Sequence, residues 1–349
     1  MIRIAFDAGT MKKFKKERLP MSSEAKQQSA KPLLEVRNLQ KYYPVRSAFG
    51  KAKGQIKAVQ DLSFDIYEGE TYGLVGESGC GKSTAGRTLL KLVEPTGGEA
   101  QFNGESIFES KASRLRTIRK DLQMIFQDPH TSLNPRKKIG ASIQETLTIH
   151  NVGVKSERKQ LVIELLKKLG FNEEDYNRYP HEFSGGQRQR IGIARSLILN
   201  PKLIICDEPV SALDVSIQAQ ILNLLRSLQR EMKLSYLFIS HDLSVVRHIA
   251  DRVGVMYLGR LVEEGPTDEI FSNPRHPYTK LLLSSVPAIH EHEKREKIEL
   301  KGEIPSPLNP PSGCAFHKRC PFAFDRCMKE TPEDTVIDSQ HKVKCHLYN

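Results

Sequence analysis

No uninterrupted apolar run in the 349 residues approaches the ~20 needed to cross a bilayer as a helix. Even Leu197–Leu199 and Leu203–Ile205 are cut short by polar residues or proline. A helical membrane span is thereby excluded. The opening, Met1 to Lys31, is basic and Ser/Gln-rich but lacks the long apolar stretch of a secretory signal. It is expected to be a disordered tail, with Met11 and Met21 as alternative starts. Long heptad runs are missing too, which leaves no coiled-coil arm. Closely spaced cysteine pairs of the zinc-knuckle kind are also absent.

Apolar residues at 38% and charged residues at 27% point to a folded globular chain rather than a disordered one. Its length predicts one large domain and a smaller appendage. The net charge of +11 suits nucleic acid, an anionic membrane surface or phosphate ligands, and equally a solvated surface. Of the six cysteines, Cys80 and Cys206 stand apart, while Cys314, Cys320, Cys327 and Cys345 crowd the end of the chain. Without an export signal, such a cluster predicts metal binding rather than disulfides.

Leu33 to Leu39 and Ala58 to Ile66 alternate apolar and polar residues, which predicts strands. Thr71 to Val75 is a short apolar strand that feeds a glycine-rich turn and a helix from about Lys82 to Val93. From Ile139 to about Asn177 the pattern turns helical, with Leu161, Leu165, Leu166 and Leu169 at three- and four-residue steps. After it, Ser184–Leu199 and Ile217–Met232 are predicted as helices and Leu203–Cys206 and Ser235–Ser240 as strands. This alternation implies a largely parallel, buried sheet. Beyond Ser284 the periodicity fades and proline and cysteine rise, which marks a domain boundary.

Gly76-Glu-Ser-Gly-Cys-Gly-Lys-Ser-Thr84 has the P-loop pattern between a strand and a helix. Its glycines let backbone N–H groups cradle phosphates at a helix N-terminus. Gly76, Ser78, Gly79, Cys80, Gly81, Lys82, Ser83 and Thr84 are therefore the expected ATP-binding set. Lys82 is expected to reach the β- and γ-phosphates and Ser83 to ligate Mg²⁺. Leu203-Ile-Ile-Cys-Asp-Glu208 is an apolar strand ending in two carboxylates, the Walker B arrangement. Asp207 would join the Mg²⁺ shell and Glu208 would polarise the attacking water. Phosphoryl transfer depends on positioning and charge neutralisation, so further polar contacts are expected. The candidates are Gln127, after the apolar run Leu122 to Phe126, for Mg²⁺ and water, and His241, after Ser240, for the γ-phosphate.

The string Phe183-Ser-Gly-Gly-Gln-Arg188, together with the P-loop, Gln127, Asp207–Glu208, Ser211-Ala-Leu-Asp214 and His241 in that order, resembles an ABC-transporter nucleotide-binding domain. The likeness covers about Leu33 to Ser284, with Phe183 where many members carry Leu. It implies an α/β P-loop NTPase fold of ABC type, with an antiparallel β-subdomain, an inserted helical subdomain at about 139–200 and a small cysteine-rich C-terminal domain. The expected division is 1–31 tail, 32–284 nucleotide-binding domain and 285–349 C-terminal domain. It further implies that Ser184, Gly185, Gly186 and Gln187 contact ATP bound by a partner subunit, that Asp214 belongs to the D-loop between the two, and that Tyr43 stacks on adenine, with Tyr42 as its rival.

Wider strings, Gln127-Asp-Pro-His-Thr-Ser-Leu-Asn-Pro135, Val210-Ser-Ala-Leu-Asp-Val-Ser-Ile-Gln218, His276-Pro-Tyr-Thr279 and the tail from Gly302-Glu-Ile-Pro-Ser-Pro307 to Cys345, are similar to oligopeptide/dipeptide-importer ATPases of the second-subunit type. Nickel importers share the tail. The resemblance implies ATP hydrolysis coupled to import at the cytoplasmic face of the cell membrane. The implied partners are a second homologous ATPase, two transmembrane permeases and, indirectly, an extracytoplasmic peptide-binding protein, with no nucleic acid. A soluble ABC ATPase acting on nucleic acid or ribosomes is the alternative class, against which stand the single signature and the lack of a coiled coil. The tail resembles those in which Cys314, Cys320, Cys327 and Cys345 hold a 4Fe-4S cluster. Zn²⁺ is the alternative, with His317, His341 or His346 able to replace a cysteine.

Overall fold

Strand β1 (Leu34–Arg46) buries Leu34, Val36 and Leu39. It pairs antiparallel with β2 (Ala52–Ile66), Leu34 lying opposite Ile66 and Val36 opposite Phe64. Strand β3 (Thr71–Val75) is wholly buried and runs through a glycine turn into helix α1 (Lys82–Leu89). Next come β4 (Gly97–Phe102), β5 (Glu105–Ser106), α2 (Ala112–Asp121) and β6 (Leu122–Ile125). Helices α3 (Ile139–Ile149), α4 (Arg158–Lys168) and α5 (Gly185–Leu197) precede β7 (Leu203–Asp207). Then follow α6 (Val215–Met232), β8 (Ser235–Ser240), α7 (Leu243–Ile249), β9 (Arg252–Tyr257), β10 (Arg260–Pro266), α8 (Thr267–Ser272) and α9 (Pro277–Ser284). The C-terminal region contributes α10 (Asp325–Lys329), β11 (Thr335–Val336) and β12 (Lys342–Val343). The computed structural model describes residues 31–46, 52–128, 133–285, 303, 305–338 and 340–349. The predicted tail up to residue 30, residues 129–132 of the Gln127 string and Gly302, Ile304 and Ser339 of the tail string lie outside them.

Among the described residues there are two sheets, an antiparallel one in the order β2-β1-β4-β5 and an eight-stranded one in the order β11-β12-β10-β9-β3-β8-β7-β6. Strands β9, β3, β8, β7 and β6 run parallel. They are covered on both faces: Ile204 and Cys206 of β7 join one apolar cluster with α3–α5, and Leu203 and Ile205 join another with β1, β2 and α1. This explains why β7 appears in the sequence as an unbroken apolar run rather than an alternating one.

Helix boundaries follow local chemistry. Ser184 Oγ accepts the N–H of Gln187, whose side chain accepts the N–H of Ser184, a capping box that starts α5. Asp242 caps α7. Helix α1 is expected to run to Val93 but stops at Leu89. Arg119 of α2 donates to the carbonyls of Leu90 and Lys91, and Lys91 turns to φ 52°, so a tertiary contact ends the helix early.

The C-terminal region extends the eight-stranded sheet, with Val343 of β12 opposite Glu263 of β10. Buried Glu263 accepts the N–H groups of Arg275 (2.6 Å) and His276 (2.9 Å) and lies 2.8 Å from His341 Nε2. At the next residue of β10, Glu264, Arg252 of β9 joins the carboxylates of Glu70 and Glu264. All three side chains are at most 14% exposed. Arg252→Ala leaves two buried carboxylates without their cation, and is expected to cost about 3–5 kcal/mol, seen as a lower urea midpoint.

Candidate nucleotide site

The turn after β3 is built on glycines that no other residue can replace. Gly76 sits at φ +154°, where a Cβ would lie 2.1 Å from the Met256 carbonyl oxygen. Gly81, at φ +108°, would bring one to 2.0 Å from the Ala58 carbonyl oxygen. The loop is further held by Gly259 N–H donating to Cys80 O at 2.9 Å. First-turn amides of a helix have no carbonyl partner within it, and α1 carries no acidic residue in that turn to compete for them. The N-terminus of α1 is thus a cradle for an anion.

Ser78–Thr84 line a cleft of about 280 Å³ with Ile56, Lys57, Ala58, Gln127, Glu208, Leu258, Gly259 and Pro307. Lys82 is buried, and its ammonium donates to the carbonyls of Gly76 (2.7 Å) and Glu77 (3.0 Å) within the loop. Cys80 Sγ lies 3.8 Å from that ammonium, and burial raises its thiol pKa. A second cleft of similar size near Arg37 and Arg252 has those arginines already bound to Glu35, Asp65, Glu70 and Glu264.

Four adjacent strands deliver the remaining groups at their carboxyl ends, as open α/β sheets do for ligands. Val75 ends β3, Asp207 ends β7, Ser240 ends β8, and Gln127 follows β6. Ser83 Oγ donates to Asp207 Oδ1 at 2.6 Å, and Arg87 approaches Asp207 Oδ2 at 3.6 Å. Burial raises the Asp207 pKa against the pull of the Ser83 hydroxyl and Arg87. Asp207 Oδ2 is buried without a hydrogen-bond partner. That oxygen, the Ser83 hydroxyl bonded to the same carboxylate and the amide oxygen of Gln127, which lines the same cleft as Ser83, are hard donors of the kind Mg²⁺ takes, so these residues fit the ion.

Glu208 is gripped from both sides. Gln127 Nε2 donates to its Oε2 at 2.9 Å, and His241 Nδ1 lies 3.0 Å from its Oε1. Its backbone is in the left-handed region at φ +46°, costly for a non-glycine residue, and is fixed by its N–H donating to Ile239 O.

Other expected site residues lie elsewhere. Ser184, Gln187 and Asp214 are exposed and do not line the cleft, and neither do Gly185 and Gly186. Gly186 meets Ile217 of α6, where a Cβ would be 2.6 Å from Cγ2. Tyr43 pairs with Ile56 across β1 and β2, with the Lys41 ammonium 4.8 Å from its ring centroid. Sequence patterns gave no sign of Arg87 beside Asp207, or of Pro307, whose carbonyl accepts the Lys57 N–H at 3.1 Å.

The expected iron-sulfur cluster is corrected, and with it the zinc alternative. Among the described residues no group of three or more His, Cys, Asp or Glu is placed to hold a metal ion. The histidines proposed as substitutes bond elsewhere: His317 to Cys314 O, His341 to Glu263 and His346 to Glu330 O. Burial pushes the Cys314 and Cys320 thiols up to about 11, which favours the neutral form over the thiolate that metals need. All six cysteines are free.

The family described as "ABC transporter" matches residues 59–211, and that described as "Oligopeptide/dipeptide transporter, C-terminal region" matches 262–327. The oligopeptide transport ATP-binding protein AppF of Bacillus subtilis is 56% identical over 321 residues, covering 91% of this chain and 98% of that protein. The dipeptide transport ATP-binding protein DppF of Haemophilus influenzae is 52% identical over 312 residues, covering 89% and 95%. Among solved structures, the ATP-binding cassette MJ0796 bound to ADP and Pi aligns with a TM-score of 0.60 at 29% identity, over 67% of this chain and 98% of that one. Gly81→Ala is expected to weaken binding of a fluorescent ATP analogue by more than about tenfold, since strain of this kind costs ~1–3 kcal/mol before the clash is counted.

Proposed function

Because this chain belongs to the family of ABC-transporter ATP-binding subunits that serve oligopeptide and dipeptide import, we propose that Glu208, gripped by Gln127 and His241, polarises the water that attacks the γ-phosphate of ATP. The grip on Glu208 is the observation that carries this role. The protein binds and hydrolyses ATP, and the reaction energises peptide import. Residues 32–284 form the ATPase core, with its helical part at about 139–200, and 285–349 form the C-terminal region.

ATP enters the cleft with its phosphates on the first-turn amides of α1 between Gly76 and Thr84. Lys82 exchanges the loop carbonyls of Gly76 and Glu77 for β- and γ-phosphate oxygens, a trade of neutral acceptors for charged ones that favours binding. Tyr43, across from Ile56, offers the ring on which adenine stacks. Ser83, Asp207 and Gln127 would hold Mg²⁺, which supplies charge neutralisation on the phosphates. Gln127 and His241 orient the Glu208 carboxylate, which accepts a proton from the attacking water, and His241 contacts the γ-phosphate. The exposed N-terminus of α5, with Ser184, Gly185, Gly186 and Gln187, serves ATP held by a partner ATPase, and Asp214 lies at the same junction. The partners are that second ATPase, two membrane permeases and an extracytoplasmic peptide-binding protein. The subunit works peripherally at the cytoplasmic face of the membrane, and no helix among the described residues is long and apolar enough to cross it.

Glu208→Gln keeps the hydrogen-bonding shape and loses the base. Phosphate release by the assembled transporter is expected to fall at least ~10²-fold, with ATP binding retained and a closed ATPase pair accumulating. Near-normal turnover in this variant rejects the role. Ser184→Arg is expected to impair hydrolysis at the partner's site while this chain's own P-loop still crosslinks to labelled ATP. Crosslinking lost only at this chain's own loop contradicts the shared site.

A further inference from the structure

Glu77, the second residue of the phosphate-binding loop, is held from outside the ATPase motifs. Its backbone N–H donates to the Tyr278 hydroxyl at 3.0 Å, so the His276-Pro-Tyr-Thr279 string reaches the loop through its tyrosine. Its carboxylate receives a two-pronged bond from Arg319 of the C-terminal region, Nη1 to Oε2 at 2.9 Å and Nη2 to Oε1 at 3.0 Å. The Arg319 side chain is 4% exposed and that of Glu77 20%. The guanidinium lies within 6 Å of the ring centroids of Tyr257 and Phe316, at 5.8 and 5.9 Å, and Nη1 is 3.4 Å from the Tyr257 hydroxyl. Rings and fork together leave it one orientation.

Two physical facts give this pair a meaning beyond packing. A buried ion pair repays its desolvation poorly, so stability alone is a weak reason for it. A planar fork on a carboxylate does fix position and angle. Glu77 also places a negative charge in the loop that must receive a triphosphate. Left without its cation, a carboxylate on that loop opposes the charge of the ligand. The Glu77 carbonyl is meanwhile one of the two that hold the Lys82 ammonium. A shift at Glu77 therefore reaches the phosphate-binding cation through one residue. The C-terminal region touches the cleft a second time where Pro307 bonds Lys57.

We propose that Arg319 is a positioning residue for ATP: from the C-terminal region it fixes Glu77, and so the phosphate-binding loop and Lys82, and it cancels a carboxylate that would repel the triphosphate. The proposal rests on the nucleotide-site assignment above. Because coupling between sites is reciprocal, bound ATP also steadies the segment around Arg319.

Steady-state hydrolysis by the assembled transporter tests it. Arg319→Gln is expected to raise KM for ATP about tenfold and change kcat less than about twofold, a loss of binding rather than of chemistry. Adding Glu77→Gln to that variant is expected to bring KM back to within about threefold of wild type, because the repelling charge is gone. Arg319→Lys, which keeps the charge without the fork, is expected to fall between. An unchanged KM in Arg319→Gln, or a double variant worse than the single one, overturns the proposal and leaves a purely structural pair. A fall in melting temperature alone, with KM unchanged, does the same. Should Arg319→Gln fail to assemble, the wild-type chain decides: ATP is expected to slow amide exchange across Phe316–Cys320 severalfold, and no slowing overturns the coupling. Wild-type hydrolysis that Glu208→Gln abolishes keeps the site assignment in place whichever way Arg319 behaves. A wild-type chain that binds no ATP sinks both.

Discussion

Backbone meets backbone with no side chain between them at both ends of the phosphate-binding turn, and the site is arranged around that contact. Gly76 abuts Met256 of β9, and Gly81 abuts Ala58 of β2. The turn is therefore wedged between the parallel sheet and the antiparallel one, and the spacing of the two sheets sets its shape. This closeness lets the start of α1 lie open to an anion while Lys82 stays buried. It also lets Ser83 reach across to Asp207, a residue 124 positions away in sequence.

How much of this is legible in the sequence depends on whether the physics is local. A phosphate cradle needs a strand, a turn and a helix start in immediate succession, so Gly76–Thr84 announces itself. Asp207 and Glu208 are nearly as plain, because an apolar run of strand length must end before two acids can meet water. Gln127 and His241 are different. Each follows an apolar run, but only the spatial order β3-β8-β7-β6, which no single stretch encodes, brings them to opposite oxygens of one carboxylate. Arg319 and Tyr278 were invisible as neighbours of Glu77, since they lie 242 and 201 positions away and belong to segments whose patterns say nothing about the loop.

The cysteine-rich end shows the opposite error. Crowding along the chain suggested convergence in space, and the tail of related ATPases reinforced it. The structure instead spends the nearby histidines on carbonyls and on Glu263, and desolvation favours the neutral form of the Cys314 and Cys320 thiols. Counting candidate ligands takes no account of such competing partners. The same segment does what composition could not disclose, which is to lean on the nucleotide cleft at Pro307 and Glu77.

The short ribbon of β11 and β12 has a consequence of its own. Strand β10 would otherwise end the large sheet with a bare row of amides and carbonyls, the kind of margin on which chains stack into aggregates. The ribbon takes that margin with antiparallel partners, and its own outer strand is only two residues long, too brief to template another chain. Glu263, by gathering His341 and two amides, fastens the ribbon there. The ribbon thus acts as a hem, closing part of a sheet margin that could otherwise pair with another chain.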